Sequence, residues 1–313
     1  MRAVKASSSG EGMRSPVLEL AEIYPQLYLD PDRSSIDEYK AAVLSGDRPD
    51  KRDLSHFACD ARDRAERIMT PAGEALVVTL YNRRDFEVFV RCMMAAKEGP
   101  DKAVPATMGA STLTAFNWPR IFARRDAFMK EQREAGVSDP DWGAEFRRFT
   151  SVKENYIDTF IVLSRGPYSN VSREAASLAS GTEMSEEEWI EKSDAIRKYH
   201  ELTHFICRKL YPDMIDAVWD EMTADAAGIY AAFGRFCRPL EEVFLGVRDG
   251  EYAGGRLENY LEEGEDIAAL APRVSAVLRE FESIAENKQG MEVFDFMLML
   301  EERQGELWKQ WLG

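Results

Sequence analysis

Apolar positions along the chain recur mostly with a 3.6-residue period, which predicts a mainly helical protein. The clearest case is 186–211, a stretch without Gly or Pro. At about 100° per residue, Trp189, Ile196, Tyr199, Thr203, Ile206, Cys207 and Leu210 fall on one side of it. Ser185 with Glu188 forms a capping-box pattern, Glu186 and Glu187 suit the positive helix start, and Pro212 marks the stop. Helical patterning also covers 17–46 in short pieces, 51–68, 85–97, 120–133, 214–233, 267–285 and 291–312. In 51–68 the apolar side is Leu54, Phe57, Ala58, Ala61 and Ile68. In the last helix Phe294, Met297, Leu298, Leu300, Leu307, Trp308 and Trp311 form a packing seam.

Two runs rich in β-branched residues, Ala75–Tyr81 and Asp158–Ser164, read as strands. Between them 104–112 reads as a loop of small residues, and 166–185 as a polar connection. These elements predict an α+β fold, mainly helical, with a small sheet. Pro140 and Gly143 mark a seam between an N-terminal region, 17–150, and a second region, 151–313. Residues 1–16 are small and polar, without the apolar core of a signal peptide, and read as a disordered lead-in with Met13 as a candidate start.

The helix at 186–211 carries chemistry as well as packing. It contains His200-Glu201-Leu202-Thr203-His204, an H-E-x-x-H pattern, and holds two of the three histidines in the chain. Residues four apart lie one turn apart on one helix face, so both imidazoles can meet one metal ion. Glu201 sits about 100° round the helix from His200, beside the ion's open position, where it can take a proton from a bound water. The third histidine, His56, reads as a surface or capping residue.

A catalytic zinc takes three protein ligands and leaves one position for water. The helix at 214–233 supplies candidates for the third. Its apolar stripe is Ile215, Val218, Trp219, Met222, Ala226, Ile229 and Phe233, with Glu221 and Asp225 on one edge and Asp216 and Asp220 on the other. Glu221 is the candidate ligand and Asp225 the candidate partner that fixes a histidine tautomer. Asp216, Asp220 and Asp225 stay open as alternative ligands. Ala224, Ala227 and Gly228 are small enough to let the two helices approach closely.

H-E-L-T-H, followed after 16 residues by E-M-T-A-D-A-A-G, resembles the gluzincin class of zinc metallopeptidases, the thermolysin-like arrangement, over about 186–234. The resemblance implies a zincin-like fold with one zinc ion held by His200, His204 and Glu221. It implies Glu201 as general base and Asp225 as the orienting partner. That class stabilises the oxyanion with a further histidine and a tyrosine, yet no histidine follows His204. The candidate donors are Tyr230, Tyr252, Arg256 and Tyr260, the last three around a flexible Gly254-Gly255 pair. A strand such as 158–164 beside the metal helix would pair with an extended peptide substrate if it lay at a sheet edge.

Charge and cysteine content narrow the setting. The net charge is −16, and residues 151–313 carry 17 basic against 32 acidic groups. That field disfavours nucleic acid and anionic membrane as partners and favours a cation. The acidic residues read mainly as solvated faces. Four cysteines without C-x-x-C spacing read as free thiols of a cytoplasmic protein. The expected activity is therefore zinc-dependent hydrolysis of a peptide or protein substrate. Two rival expectations are an inactive module of the same architecture that binds a partner peptide, and a metal hydrolase with a non-peptide substrate.

Overall fold

The structure, a computed structural model, describes residues 15–98, 103–214, 216–287 and 290–307. It is an α+β arrangement, mainly helical with a small sheet. The described residues divide into two compact, interleaved units. One draws on 1–65, 80–102 and 115–158, the other on 66–79, 103–114 and 159–313. A single cut at 150/151 does not describe this division, because the sheet gathers strands from both halves of the sequence. The expected lead-in falls almost wholly outside the described residues, as do Trp308 and Trp311.

The first unit contains α1 (Pro16–Ala21), α2 (Ile36–Ser45), α3 (Arg83–Glu98), α4 (Trp118–Glu134) and α5 (Trp142–Phe149). Its buried side chains include Tyr24, Leu27, Tyr39, Phe86 and Phe89. The expected helix at 51–68 is absent. Side chains there compete for the backbone: Asp53 accepts the Ser55 N–H and Asp60 the Arg62 N–H, both at 2.9 Å. Asp85 takes the N–H groups of Ala58 and Cys59 at 2.8 and 2.9 Å. His56 lies in this loop, its Nε2 3.0 Å from the Leu27 carbonyl. The seam expected at Pro140 and Gly143 is instead the start of α5, with Asp141 as its cap.

The four strands are β1 (Arg64–Thr70), β2 (Gly73–Leu80), β3 (Ala110–Phe116) and β4 (Ile157–Ser164), in the order β1-β2-β4-β3. β1 and β3 were not expected from the sequence. β1 follows the 51–63 loop directly, and a tight turn in which Thr70 bonds the Gly73 carbonyl leads into β2. Backbone bonds from Ser164 N to Gly109 O and from Asn117 N to Tyr156 O, both 2.8 Å, run β3 antiparallel to β4. β4 is therefore interior, and β1 and β3 are the two edge strands.

The second unit continues with a 3-10 turn at Tyr168–Asn170 and α6 (Arg173–Ser180), both inside the stretch read as a polar connection. Then come α7 (Glu186–Leu210), α8 (Ala217–Phe233), α9 (Arg238–Leu245), the antiparallel pair β5 (Val247–Arg248) and β6 (Glu251–Tyr252), and a 3-10 turn at Arg256–Tyr260. α10 (Ile267–Asn287), α11 (Val293–Glu302) and α12 (Gln304–Leu307) follow, so the helix expected over 291–312 is interrupted at Arg303. The capping box of α7 is formed by Ser185 and Glu188. Leu202, Phe205, Ile206 and Cys207 of α7 pack with Ala75, Val77, Ile161 and Leu163 of the sheet.

α7 and α8 lie antiparallel. Lys192 bonds the Ala232 carbonyl near one end, and His204 meets Asp220 near the other. Between these points a Cβ on Gly228 would stand 2.6 Å from the Ile196 carbonyl oxygen, so nothing larger than glycine fits without moving backbone. Replacing Gly228 by Ala gains roughly 1 kcal/mol of helix propensity, while overpacking costs about 1–3 kcal/mol. Because backbone must move here, the clash wins. Gly228→Ala is expected to lower unfolding stability by up to about 2 kcal/mol, read from urea denaturation. A variant as stable as the parent would show that the helices have slack at this contact.

Candidate metal centre

α7 presents His200 and His204 one turn apart, both buried, with ring centroids 4.6 Å apart and planes at 90°. Their Nε2 atoms face each other at 3.0 Å. Across from them on α8, Glu221 lies with Oε2 3.6 Å from His200 Nε2 and Oε1 3.5 Å from His204 Nε2. Among the described residues these three side chains form a group able to hold a metal ion.

The far side of each ring is fixed by a carboxylate from α8. His200 Nδ1 is 2.9 Å from Asp225 Oδ1, and His204 Nδ1 is 2.8 Å from Asp220 Oδ2. Each Nδ1 therefore donates its hydrogen to an acid, which leaves each Nε2 lone pair for an ion. Donors on one tetrahedral zinc at bond lengths of 2.0–2.2 Å stand about 3.3 Å apart; here the two Nε2 atoms are 3.0 Å apart, and one ligand atom from each of the three residues lies within 4.8 Å of the others. The residues present fit zinc by donor type, spacing and tautomer.

Burial alone pushes Asp220 up, but the His204 bond and charge outweigh it and hold the carboxyl below its ordinary range. Burial pulls His204 down, and the carboxylates of Asp220, Glu221 and Glu201 override it, raising the ring to about 9 in the absence of an ion. Asp225 is fully buried. Burial raises it, and the Arg256 charge with the His200 hydrogen bond brings it well below the usual carboxylate range. Arg256 Nη2 bonds Asp225 Oδ2, and Nη1 donates to the Tyr168 hydroxyl at 3.2 Å.

Glu201 stands next to the donors on α7 and accepts a hydrogen bond from Thr112 Oγ1 of β3 at 3.1 Å on Oε2. Tyr260, at the end of the 256–260 turn, has its hydroxyl beside Glu221. Burial raises it first; Arg256 opposes, and the Glu221 carboxylate adds to the rise.

The chain belongs to DUF7005, a family of unknown function. The family model matches residues 16–301. No curated protein and no solved structure matches the chain.

Of the residues singled out from sequence, His200, His204, Glu221, Glu201, Asp225, Arg256 and Tyr260 meet in this one region. Two do not. Tyr230 stacks on Phe296 at 4.5 Å in the apolar core, and lies nine residues, about 13 Å, along α8 from Glu221. The Tyr252 hydroxyl is occupied by Gly255, accepting from its N–H at 3.0 Å and donating to its carbonyl at 2.9 Å. Arg256 is present but turned to Asp225 and Tyr168, not free to meet a substrate. Of the alternative ligands, Asp216 caps α8 by accepting the Trp219 N–H, and Asp220 and Asp225 hold histidine Nδ1 atoms. Asp220 shares the α7-facing side of α8 with Glu221; the stripe reading misled because α8 is buried almost all round. Tyr168 and Thr112 carry no sequence signal, since each reaches the site from an element distant in the chain.

A further buried acid, Glu301 of α11, sits behind Asp220. Burial is the main cause of its rise to about 7; Thr223 opposes it and Asp220 adds to it. The unfolded chain loses this proton near the ordinary value of 4.5. Between about pH 4.5 and 7 the folded state binds more proton than the unfolded, so stability falls as pH rises through that window. Glu301→Gln removes this term. Its stability relative to the parent is expected to improve by roughly 2–4 kcal/mol between pH 4.5 and pH 7.5. Parallel denaturation curves for parent and variant across the window would contradict the assignment.

Proposed function

We propose that the chain is a zinc-dependent metallopeptidase of the gluzincin kind, hydrolysing peptide bonds with Glu201 as general base. The observation that carries this reading is the convergence of two Nε2 atoms and the Glu221 carboxylate, each imidazole backed by its own aspartate, with a further acid, Glu201, on the residue after His200. His200, His204 and Glu221 would hold a zinc ion, which when bound would supply a Lewis acid able to lower the pKa of a water to about 7.

The chain's own residues account for the rest. Thr112 donates to one oxygen of Glu201 and leaves the other to accept a proton from the attacking water. The same carboxyl then returns the proton to the leaving amine. Tyr260 offers a hydroxyl donor next to Glu221, and is the remaining candidate among those named from sequence for stabilising an oxyanion. A peptide, rather than another electrophile, is favoured by β3: an edge strand leaves backbone N–H and C=O groups free for an extended chain, and β3 carries Thr112 to Glu201. The strand at 158–164, considered for this pairing on condition that it lay at an edge, is interior.

Glu201→Gln tests the reading. The variant is expected to keep about one zinc per chain by elemental analysis and to lose roughly 10²–10⁴-fold in cleavage of a peptide library. Undiminished cleavage with zinc retained removes the base role. A folded parent protein that takes up no zinc removes the metallopeptidase reading altogether.

A further inference from the structure

Asp225 has no exposed surface, and three groups converge on it. His200 Nδ1 lies at 2.9 Å from Oδ1. The Tyr168 hydroxyl donates to the same oxygen at 2.5 Å. Arg256 Nη2 takes Oδ2, while its Nη1 donates to the Tyr168 hydroxyl at 3.2 Å. Tyr168 and Arg256 thus form a closed triangle with the carboxylate, and His200 Nδ1 meets two of its corners, lying 2.9 Å from the Tyr168 hydroxyl as well as 2.9 Å from Asp225.

Both outer members are themselves held in place by packing and hydrogen bonds. The Tyr168 N–H donates to Ser193 Oγ of α7 at 3.0 Å, and its ring packs edge-on against Phe244 at 4.9 Å. The loop leading into it is clamped by Arg197, whose guanidinium bonds the carbonyls of Ser164, Gly166 and Pro167 at 3.0, 3.1 and 3.2 Å. Arg256 is delivered by a backbone crossing tight enough to exclude side chains: a Cβ on Gly246, whose φ is +73°, would meet the Gly254 carbonyl carbon at 2.3 Å. Neither residue lies on the metal helices, and neither is needed to fill the apolar core with its polar end.

We propose that Tyr168 and Arg256 are positioning residues of the metal centre: they fix the Asp225 carboxylate, which holds His200 with its Nε2 toward Glu221 and His204. This inference rests on the zinc reading above. It is a statement about affinity, because a ring held by a fixed acceptor loses no orientation on binding an ion, and such outer partners change metal affinity about 10–100-fold. It also gives Arg256 a task other than contact with substrate.

The test uses the full chain and zinc alone, with affinity measured by competition against a chromophoric chelator and fold by the melting midpoint of the zinc-free protein. Tyr168→Phe keeps the ring and removes only the hydroxyl. It is expected to weaken zinc binding about 10-fold while the zinc-free midpoint stays close to the parent's. Arg256→Met is expected to weaken it about 100-fold, with Arg256→Lys intermediate because the charge remains and the fork is lost. Where Arg256→Met alone fails to fold, the double variant Asp225→Asn with Arg256→Met removes the unpaired buried charge and is expected to fold and bind more weakly than the parent. Zinc affinity of Tyr168→Phe and Arg256→Lys within threefold of the parent overturns the positioning role and leaves the zinc centre standing. A parent protein that binds no zinc overturns both.

Discussion

Two imidazoles on α7 and two aspartates on α8 can meet only where the helices touch, and the rest of the second unit is arranged around that contact. Gly228 against Ile196 sets the separation. From there the antiparallel register brings Asp225 to His200 and Asp220 to His204. A separation larger by one methyl group would lengthen these bonds and leave buried polar groups unpaired, a cost of about 1–3 kcal/mol each. The apolar cluster around Trp189, Trp219, Phe244, Phe281 and Phe296 supplies the burial that offsets such groups. Its packing is what makes the polar contacts rigid.

The two histidine–aspartate pairs are not equivalent. Asp225 has Arg256 as counter-charge and the Tyr168 hydroxyl as a second donor. Asp220 has His204 and, behind it, the raised acid Glu301. Near the first pair another acid, Glu241, is wholly buried, and neither of its oxygens has a hydrogen-bond partner among the described residues. Burial raises it well above the usual carboxyl range, with the Asp225 charge adding to the rise. Several acids of the 151–313 region thus lie inside the fold as part of one electrostatic system. Reading that region's charge mainly as solvated surface overlooks them, because composition counts charges without saying which are enclosed.

What was legible depended on how local the signal was. α7 could be read to within a residue, since its cap, its apolar period and its stop all lie within a few residues of the helix itself. The helix expected over 51–68 failed because its backbone groups go to aspartates, one of them, Asp85, distant in the sequence. β3 was missed because a run of alanine, serine and threonine becomes a strand only against β4. Tyr230 and Tyr252 had suitable chemistry at plausible positions, but one belongs to the core and the other closes its own turn.

The sequence by itself determined that a long capped helix carries His200, Glu201 and His204 on neighbouring positions, and that a second helix with small residues and acids follows. Helix geometry repeats every 3.6 residues, so spacing along the chain translates directly into direction in space. Tertiary structure alone decided which acid faces which nitrogen, that Thr112 reaches Glu201, and that Arg256 and Tyr168 close on Asp225. Those contacts join residues as many as 89 positions apart. They follow from how helices, sheet and turns pack together, which no local periodicity encodes.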